Sequence, residues 1–140
     1  MKKKRDWATY LEEDFRSVDE HLSGLEDSCD NGQQVLYHIM ELEVLLGRLE
    51  EKGVATNCEA ESMLAADLRD ICLVNEPADF SGDQIKCFSG AVRALITGWG
   101  KLNDEKTNWI CGRLLEVGLT WLPVTKKAAA DISEAHKLIE

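Results

Sequence analysis

The sequence predicts an all-α fold, a single-domain bundle or orthogonal array of about five to six helices. Helix-favouring Leu, Ala and Glu outnumber the β-branched residues that favour strands, and the chain contains only 2 prolines. Apolar residues recur at mixed steps of three and four positions almost throughout, which is the amphipathic helix pattern. With 140 residues the chain has the size of one domain with one core. We therefore predict a basic flexible tail at residues 1–5 and one helical domain at residues 6–140.

Short turns join the first three predicted helices. The first spans about Asp6–Asp27, and the second spans about Gln33–Lys52. The second helix has the widest apolar stripe, so we expect it to be central, and Gly53 is expected to end it as the glycine just beyond the helix. The third spans about Glu59–Val74 and stops before Pro77.

Two further helices are predicted in the second half of the chain. Ser81 is the expected N-cap of the fourth helix, whose apolar stripe reaches Leu102. Asn103 or Asp104 separates this helix from a fifth, which ends before Pro123.

A last helix is predicted after Thr125, because apolar residues again recur at helical spacing. Just before it, the stretch Gly118–Leu122 has the alternative of a short strand. The apolar positions of the last helix are Ala128, Ile132, Ala135 and Ile139.

Several glycines lie inside the predicted fourth and fifth helices, where each costs about 1 kcal/mol relative to Ala. Either two helices approach closely at these positions, or a helix bends or breaks near Thr97–Gly100. The pattern leaves both interpretations open. The glycines are Gly90, Gly98, Gly100, Gly112 and Gly118.

Charge is distributed unevenly along the chain, which carries 26 acidic and 16 basic residues and a net charge of −10. Residues 1–5 carry +4, whereas residues 6–60 hold 14 acids against 3 bases. Residues 61–140 hold 12 acids against 9 bases. Binding to phosphates requires clustered Lys and Arg, so this balance argues against direct binding of nucleic acid or of an anionic membrane.

Pairs of acids recur about every seven residues along the first helix, on the side opposite its apolar stripe. They form either a solvated face that keeps the domain soluble or a docking surface for a basic partner. Two tryptophans near the starts of their helices are candidate exposed anchors. The candidate partner-binding residues are Glu12, Glu13, Asp19, Glu20, Glu26, Asp27, Glu50 and Glu51, together with Trp7 and Trp109.

The turn after the first helix has some features of a calcium loop that begins at Asp27. Its third position is Cys29 and its twelfth is His38, where calcium requires an oxygen ligand and a bidentate Glu. The segment is therefore predicted to be a plain turn, with Asp30 or Asn31 as the N-cap of the second helix.

Other ligand motifs are incomplete. His38 and Glu41 share one helical side, and His21 would face His38 if the two helices were antiparallel, but the chain has only 3 histidines. The segment Gly98–Lys101 resembles part of a phosphate-binding loop, yet leucines occupy the positions of the first glycine and of the final Ser or Thr. No nucleophile motif occurs. We therefore predict no catalytic residue, no metal site and no cofactor.

The sequence indicates a cytoplasmic protein. Its 5 cysteines form no C-x-x-C pair, and three of them, Cys72, Cys87 and Cys111, lie in apolar segments where they are expected to be buried thiols. No apolar run has the length of a membrane-spanning helix. The basic start is followed by acids instead of the apolar core of an export signal.

These observations favour a small acidic binding protein, an inhibitor or immunity-type protein of phage or bacterial kind. It would dock its negative helical face onto a basic protein surface, such as that of a nuclease or another DNA- or RNA-binding protein. A second hypothesis is a helical adaptor or structural protein that self-associates as a homodimer through the second and fourth helices. A third is a helical metal-dependent or nucleotide-hydrolysing enzyme.

Overall fold

The structure is a computed structural model that describes the backbone of residues 2–121 and the side chains of residues 11–121. This part contains five α-helices, one 3-10 turn and no strand, which confirms the predicted all-α bundle. The predicted last helix after Thr125 lies outside the described residues. The helices are α1 (Lys2–Asp27), α2 (Gly32–Ala55), α3 (Glu59–Val74), α4 (Gly82–Thr97) and α5 (Asp104–Glu116), and the 3-10 turn is Pro77–Asp79.

Helix α2 is central, as predicted: α1 and α3 pack along it, and the 3-10 turn contacts it as well. Helix α4 packs on α1 and α3, and α5 packs on α3 and α4. Among these helices, none is both long and apolar enough to cross a membrane. One core joins the elements, and its fully buried residues include Leu22, Leu25, Ile39, Leu42, Leu46, Leu49, Leu64, Leu68, Ile71, Ile85, Phe88 and Leu95.

Helix α1 begins at Lys2, four residues before its predicted start. Of the residues expected to form a tail, residues 2–5 have helical backbone. Lys and Arg are good helix formers, and neither a proline nor a glycine separates them from the amphipathic pattern that follows.

Of the N-caps named from the sequence, Ser81 is confirmed, and of the two alternatives for α2 it is Asn31 that caps the helix; Asn103 caps α5. The side chains of Asn31 and Asn103 each accept a hydrogen bond from the backbone N–H three residues further on, at 3.2 and 2.9 Å. Ser81 forms a full capping box with Gln84, because each side chain accepts a hydrogen bond from the other residue's backbone N–H, at 3.1 and 2.9 Å. These side chains satisfy backbone donors that a helix start leaves without a partner.

The prediction that Gly53 ends α2 is wrong, because the helix continues to Ala55 and Gly53 is buried within it. Asn57, with φ of 63°, is the residue that adopts the left-handed conformation after the helix. Gly53 instead allows the start of α3 to approach closely: a Cβ at this position would lie 2.8 Å from Cβ of Ser62. The Ser62 hydroxyl donates a hydrogen bond to the Glu50 carbonyl at 2.8 Å, which fixes this approach.

Between α4 and α5 the glycines accompany a break in the helix, which was the second of the two interpretations. Helix α4 ends at Thr97, and Gly100 has a φ of +85°. The Glu61 carboxylate, almost fully buried, accepts hydrogen bonds from the backbone N–H groups of Gly100 and Leu102 at 2.7 and 3.0 Å. It thereby holds the break in place. Close helix approach does not explain Gly90 or Gly112, since nothing lies within 4 Å of a Cβ at either position.

We expect Gly53→Ala to lower the free energy of unfolding by up to about 2 kcal/mol, because overpacking of a core typically costs about 1–3 kcal/mol. The added methyl would meet Ser62 Cβ at 2.8 Å and Cα at 2.9 Å, so α2 and α3 would have to separate. This cost exceeds the gain of about 1 kcal/mol in helix propensity. Denaturant titration followed by circular dichroism measures the difference.

Gly90→Ala is the matched control, because it makes the same change inside a helix where the space is open. It should raise the free energy of unfolding by about 0.5–1 kcal/mol. An equal gain in both variants would show that the contact at Gly53 is not tight.

Candidate partner-binding surface

Helix α1 has a buried side and an acidic exposed side. Val18, Leu22 and Leu25 have no solvent exposure. On the opposite side, helical spacing aligns the acids that the sequence singled out, and six of the ten candidate residues lie there. In the described part of the chain, Arg16 is the only base on this side of α1. The six acids are Glu12, Glu13, Asp19, Glu20, Glu26 and Asp27, and all of them are exposed.

Asp14, which adjoins these acids in sequence, does not belong to the exposed side. Its side chain is 8% exposed and forms a hydrogen-bonded ion pair with Lys52 of α2. Arg48 Nη1 lies 3.8 Å from its Oδ1. A buried carboxylate requires such partners, so this pair fixes α1 against α2.

Asp19 and Glu26 border α4, where both are paired with Arg93. Arg93 Nη1 donates to the Asp19 carboxylate, and Nη2 donates to the Glu26 carboxylate. The hydrogen bond with Glu26, followed by that with Asp19, raises the pKa of Arg93 further above its already high value. One positive charge therefore offsets part of the acidic side at this border.

The two candidates at the end of α2 are separated from each other. Glu50 faces α3, where its Oε1 lies 3.2 Å from Nη1 of Arg69. Glu51 is exposed on the outer side of α2. Only Glu51 is thus available to a partner that also contacts α1.

Of the two tryptophan candidates, the structure describes the side chain of Trp109, which lies on α5. The side chain of Trp7 lies outside the described residues. Trp109 is 68% exposed on α5, and the guanidinium carbon of Arg113 lies 5.7 Å from its ring centroid. It lines two open depressions of about 260 and 570 Å³ between α4 and α5, whose α4 wall includes Ala94. Trp109 therefore approaches α4 from α5, whereas Asp19 and Glu26 approach it from α1.

The predicted proximity of His21 and His38 is confirmed, since the antiparallel packing of α1 and α2 places their Nδ1 atoms 3.1 Å apart. At this distance one Nδ1–H donates to the other, which must be unprotonated. The ring of Tyr37 packs edge-on against both imidazoles. Among the described residues, no three His, Cys, Asp or Glu side chains are grouped so as to hold a metal ion.

Burial, and to a smaller extent the nearby His21, lowers the pKa of His38 below its ordinary value of 6.5. The unfolded chain then binds a proton at this residue at a higher pH than the folded protein does. Stability contributed by neutral His38 is complete above the unfolded pKa and is lost as the pH falls from about 6.5 towards the lowered pKa.

We expect the unfolding midpoint of the wild-type protein to fall between pH 7 and pH 5 more steeply than that of His38→Gln. The variant keeps a polar side chain that does not titrate, so the carboxylates contribute equally to both curves. Chemical denaturation at a series of pH values measures the difference. Parallel curves for the two proteins would contradict the assignment.

Three of the cysteine thiols, those of Cys72, Cys87 and Cys111, are not activated. Cys72 is buried, as predicted, whereas Cys87 and Cys111 are half-buried, and all 5 thiols are free. Burial raises the pKa of Cys72 and of Cys87, and it raises the pKa of Cys111 to about 11. A reactive thiol requires a lowered pKa, so these three groups stay protonated at neutral pH.

Fold and surface together define an all-α protein whose first helix has an acidic exposed side bordered by ion pairs. The chain matches no protein-family model, and no curated protein and no solved structure shows significant similarity to it.

Proposed function

We propose that this is a small cytoplasmic binding protein that acts without catalysis, by docking the acidic side of α1 onto a basic protein surface. One observation carries the proposal. Glu12, Glu13, Glu20 and Asp27 are exposed on one side of α1, and no ion pair involves them among the described side chains. Charges arranged in this way accelerate encounter with a surface of opposite sign and disfavour partners of like sign.

The proposed partner class is a protein that handles nucleic acid, such as a nuclease. Its binding channel must carry Lys and Arg to contact phosphates. Carboxylates that recur every two helical turns, about 10.5 Å apart along α1, would occupy such a channel as a series of negative charges. This is the mode of action expected of an inhibitor or immunity-type protein, an expectation based on analogy of class.

We expect simultaneous replacement of Glu12, Glu13, Glu20 and Asp27 by Lys to weaken partner binding about 100-fold or more, because each lost pair also becomes a repulsion. Asp19 and Glu26 are left unchanged since they hold Arg93. The partner is first captured from source cells, then purified, and its dissociation constant is measured at low and high salt.

The matched control reverses four exposed acids elsewhere, which changes the net charge equally. An equal loss of affinity in the control would mean that net charge, and not α1, governs binding. Affinity independent of salt would also contradict the proposal. The control residues are Glu76, Asp79, Asp83 and Glu116.

Arg93→Gln tests the same surface in the opposite direction. Removing this cation leaves Asp19 and Glu26 unneutralised, so affinity for a basic partner should rise about 3-fold at low salt. The free energy of unfolding should fall by about 1 kcal/mol as the pairs between α1 and α4 are lost.

Lys86→Gln removes one positive charge from an exposed position of α4 and is the control for Arg93→Gln. Titration calorimetry with the purified partner compares the two variants. If both tighten binding equally, the effect is one of total charge and the local assignment is wrong.

A further inference from the structure

The outer side of α2 carries a continuous row of exposed apolar side chains. We call Leu36, Tyr37, Met40 and Val44 the α2 row; they are 38%, 52%, 60% and 52% exposed. Their spacing places them on one side of the helix, opposite the residues that α2 contributes to the core. Contiguous exposed apolar side chains typically mark a binding surface.

On the α3 border, Leu73 extends the apolar surface. Arg69, one helical turn earlier on α3, lies beside Gly47 and pairs with Glu50 of α2. Helices α2 and α3 are antiparallel. Leu73, one turn after Arg69 in α3, therefore lies level with the residue one turn before Gly47 in α2, which is Glu43. Leu73 is 61% exposed, so it adds apolar area beside the α2 row.

On the α1 border, the α2 row meets acids. The rings of Tyr37 and His21 are in contact, with centroids 5.9 Å apart, and further along the pair Arg48 approaches Asp14. The segment of α1 from 14 to 21 therefore runs beside the α2 row. Next to this span Glu13 and Glu20 are exposed, and helical spacing puts them on the edge of the acidic side of α1 that lies nearer to α2.

Charge decides which occupant this surface fits. A second copy would bring another net charge of −10 to the surface. An antiparallel pairing of two α2 rows would also set the acidic border of each copy against that of the other, because a two-fold interface places each patch against itself. A basic segment would instead be attracted by the same acids.

We infer that the α2 row is the apolar centre of a docking site for an amphipathic helix that carries Lys or Arg along one edge. The inference rests on the proposed function of α1 and names the partner's chemistry. The row spans about 12 Å along α2, which matches about two turns of a docked helix. Aliphatic anchors of the partner would contact Met40 and Val44, and its basic edge would lie over Glu13 and Glu20.

The probe is a synthetic amphipathic peptide of leucine and lysine, with a matched peptide in which glutamate replaces lysine. We expect the lysine peptide to bind the full chain and the glutamate peptide not to bind. Met40→Glu should weaken binding of the lysine peptide about 10-fold or more, as loss of a central apolar contact does. The new carboxylate alone would favour a basic peptide, so a loss isolates the apolar contribution.

Leu115→Glu is the control, because Leu115 on α5 is 52% exposed, as is Val44. It should leave the affinity unchanged, and Val44→Glu should reproduce the effect of Met40→Glu. Fluorescence anisotropy of the labelled peptide measures affinity, and thermal unfolding confirms that each variant is folded. Equal loss in Leu115→Glu, equal binding of both peptides, or no binding of the lysine peptide would overturn the inference.

Two comparisons separate this inference from the proposed function. If the fourfold Lys variant of α1 loses the peptide while Met40→Glu retains it, the acidic side binds and the α2 row does not. If Met40→Glu loses the peptide and the α1 variant retains it, the row binds and the proposed role of α1 fails. Sedimentation of the wild-type protein as a dimer that Met40→Glu dissociates would assign the row to a second copy instead.

Discussion

The orientation of α1 about its own axis is the constraint on which the surface of this protein depends. Asp14 pairs with Lys52 where α1 meets α2, and Asp19 and Glu26 pair with Arg93 where α1 meets α4. Removing one partner of a buried pair costs about 3–5 kcal/mol, so the contact with Lys52 strongly disfavours rotation of the helix. Because α1 is held from two sides, the acids that remain exposed form a fixed array, and the proposed partner would meet them without first ordering a mobile segment.

The sequence predicts the acidic side of α1, but it does not predict which of its acids form ion pairs with other helices and which remain unpaired. Helical periodicity is local, so it correctly separates the exposed acids from the buried apolar stripe. Pairing is not local: Arg93 is 74 residues from Asp19 and 67 from Glu26. Asp14 was the one acid with a sequence signal, since it adjoins the apolar stripe, and a carboxylate near a buried position requires a cation. Glu50 carried no such signal, and its contact with Arg69 depends on how α3 packs.

The same distinction explains what could be predicted of the fold. Helix spans and N-caps depend on side chains within a few residues, and Asn31, Ser81 and Asn103 follow that rule. Gly53 does not follow this rule, because a glycine near a helix end can either adopt the left-handed conformation that ends the helix or allow another helix to approach closely. Only the packing of Ser62 against it decides between them. The glycines indicate where α4 could break, but the break is held by Glu61, some 40 residues earlier in the chain, so the glycines alone could not decide between a break and a close helix contact.

Helix α2 has one apolar side in the core and a second, the α2 row, that is exposed. The exposed apolar side is evidence on whether the acids of α1 serve only to keep the protein soluble. A solvated face explains the acids, but it does not explain why Met40 and Val44 are exposed beside them, since exposed apolar area reduces solubility. Exposed ion pairs contribute about 0–1 kcal/mol each, whereas burying apolar area contributes about 25 cal/mol per Å². In a shared site the α2 row would therefore supply most of the affinity. The acids of α1 would supply the encounter rate and the selection against acidic partners. Each part accounts for a feature that the other leaves unexplained, which favours one composite surface over two unrelated ones.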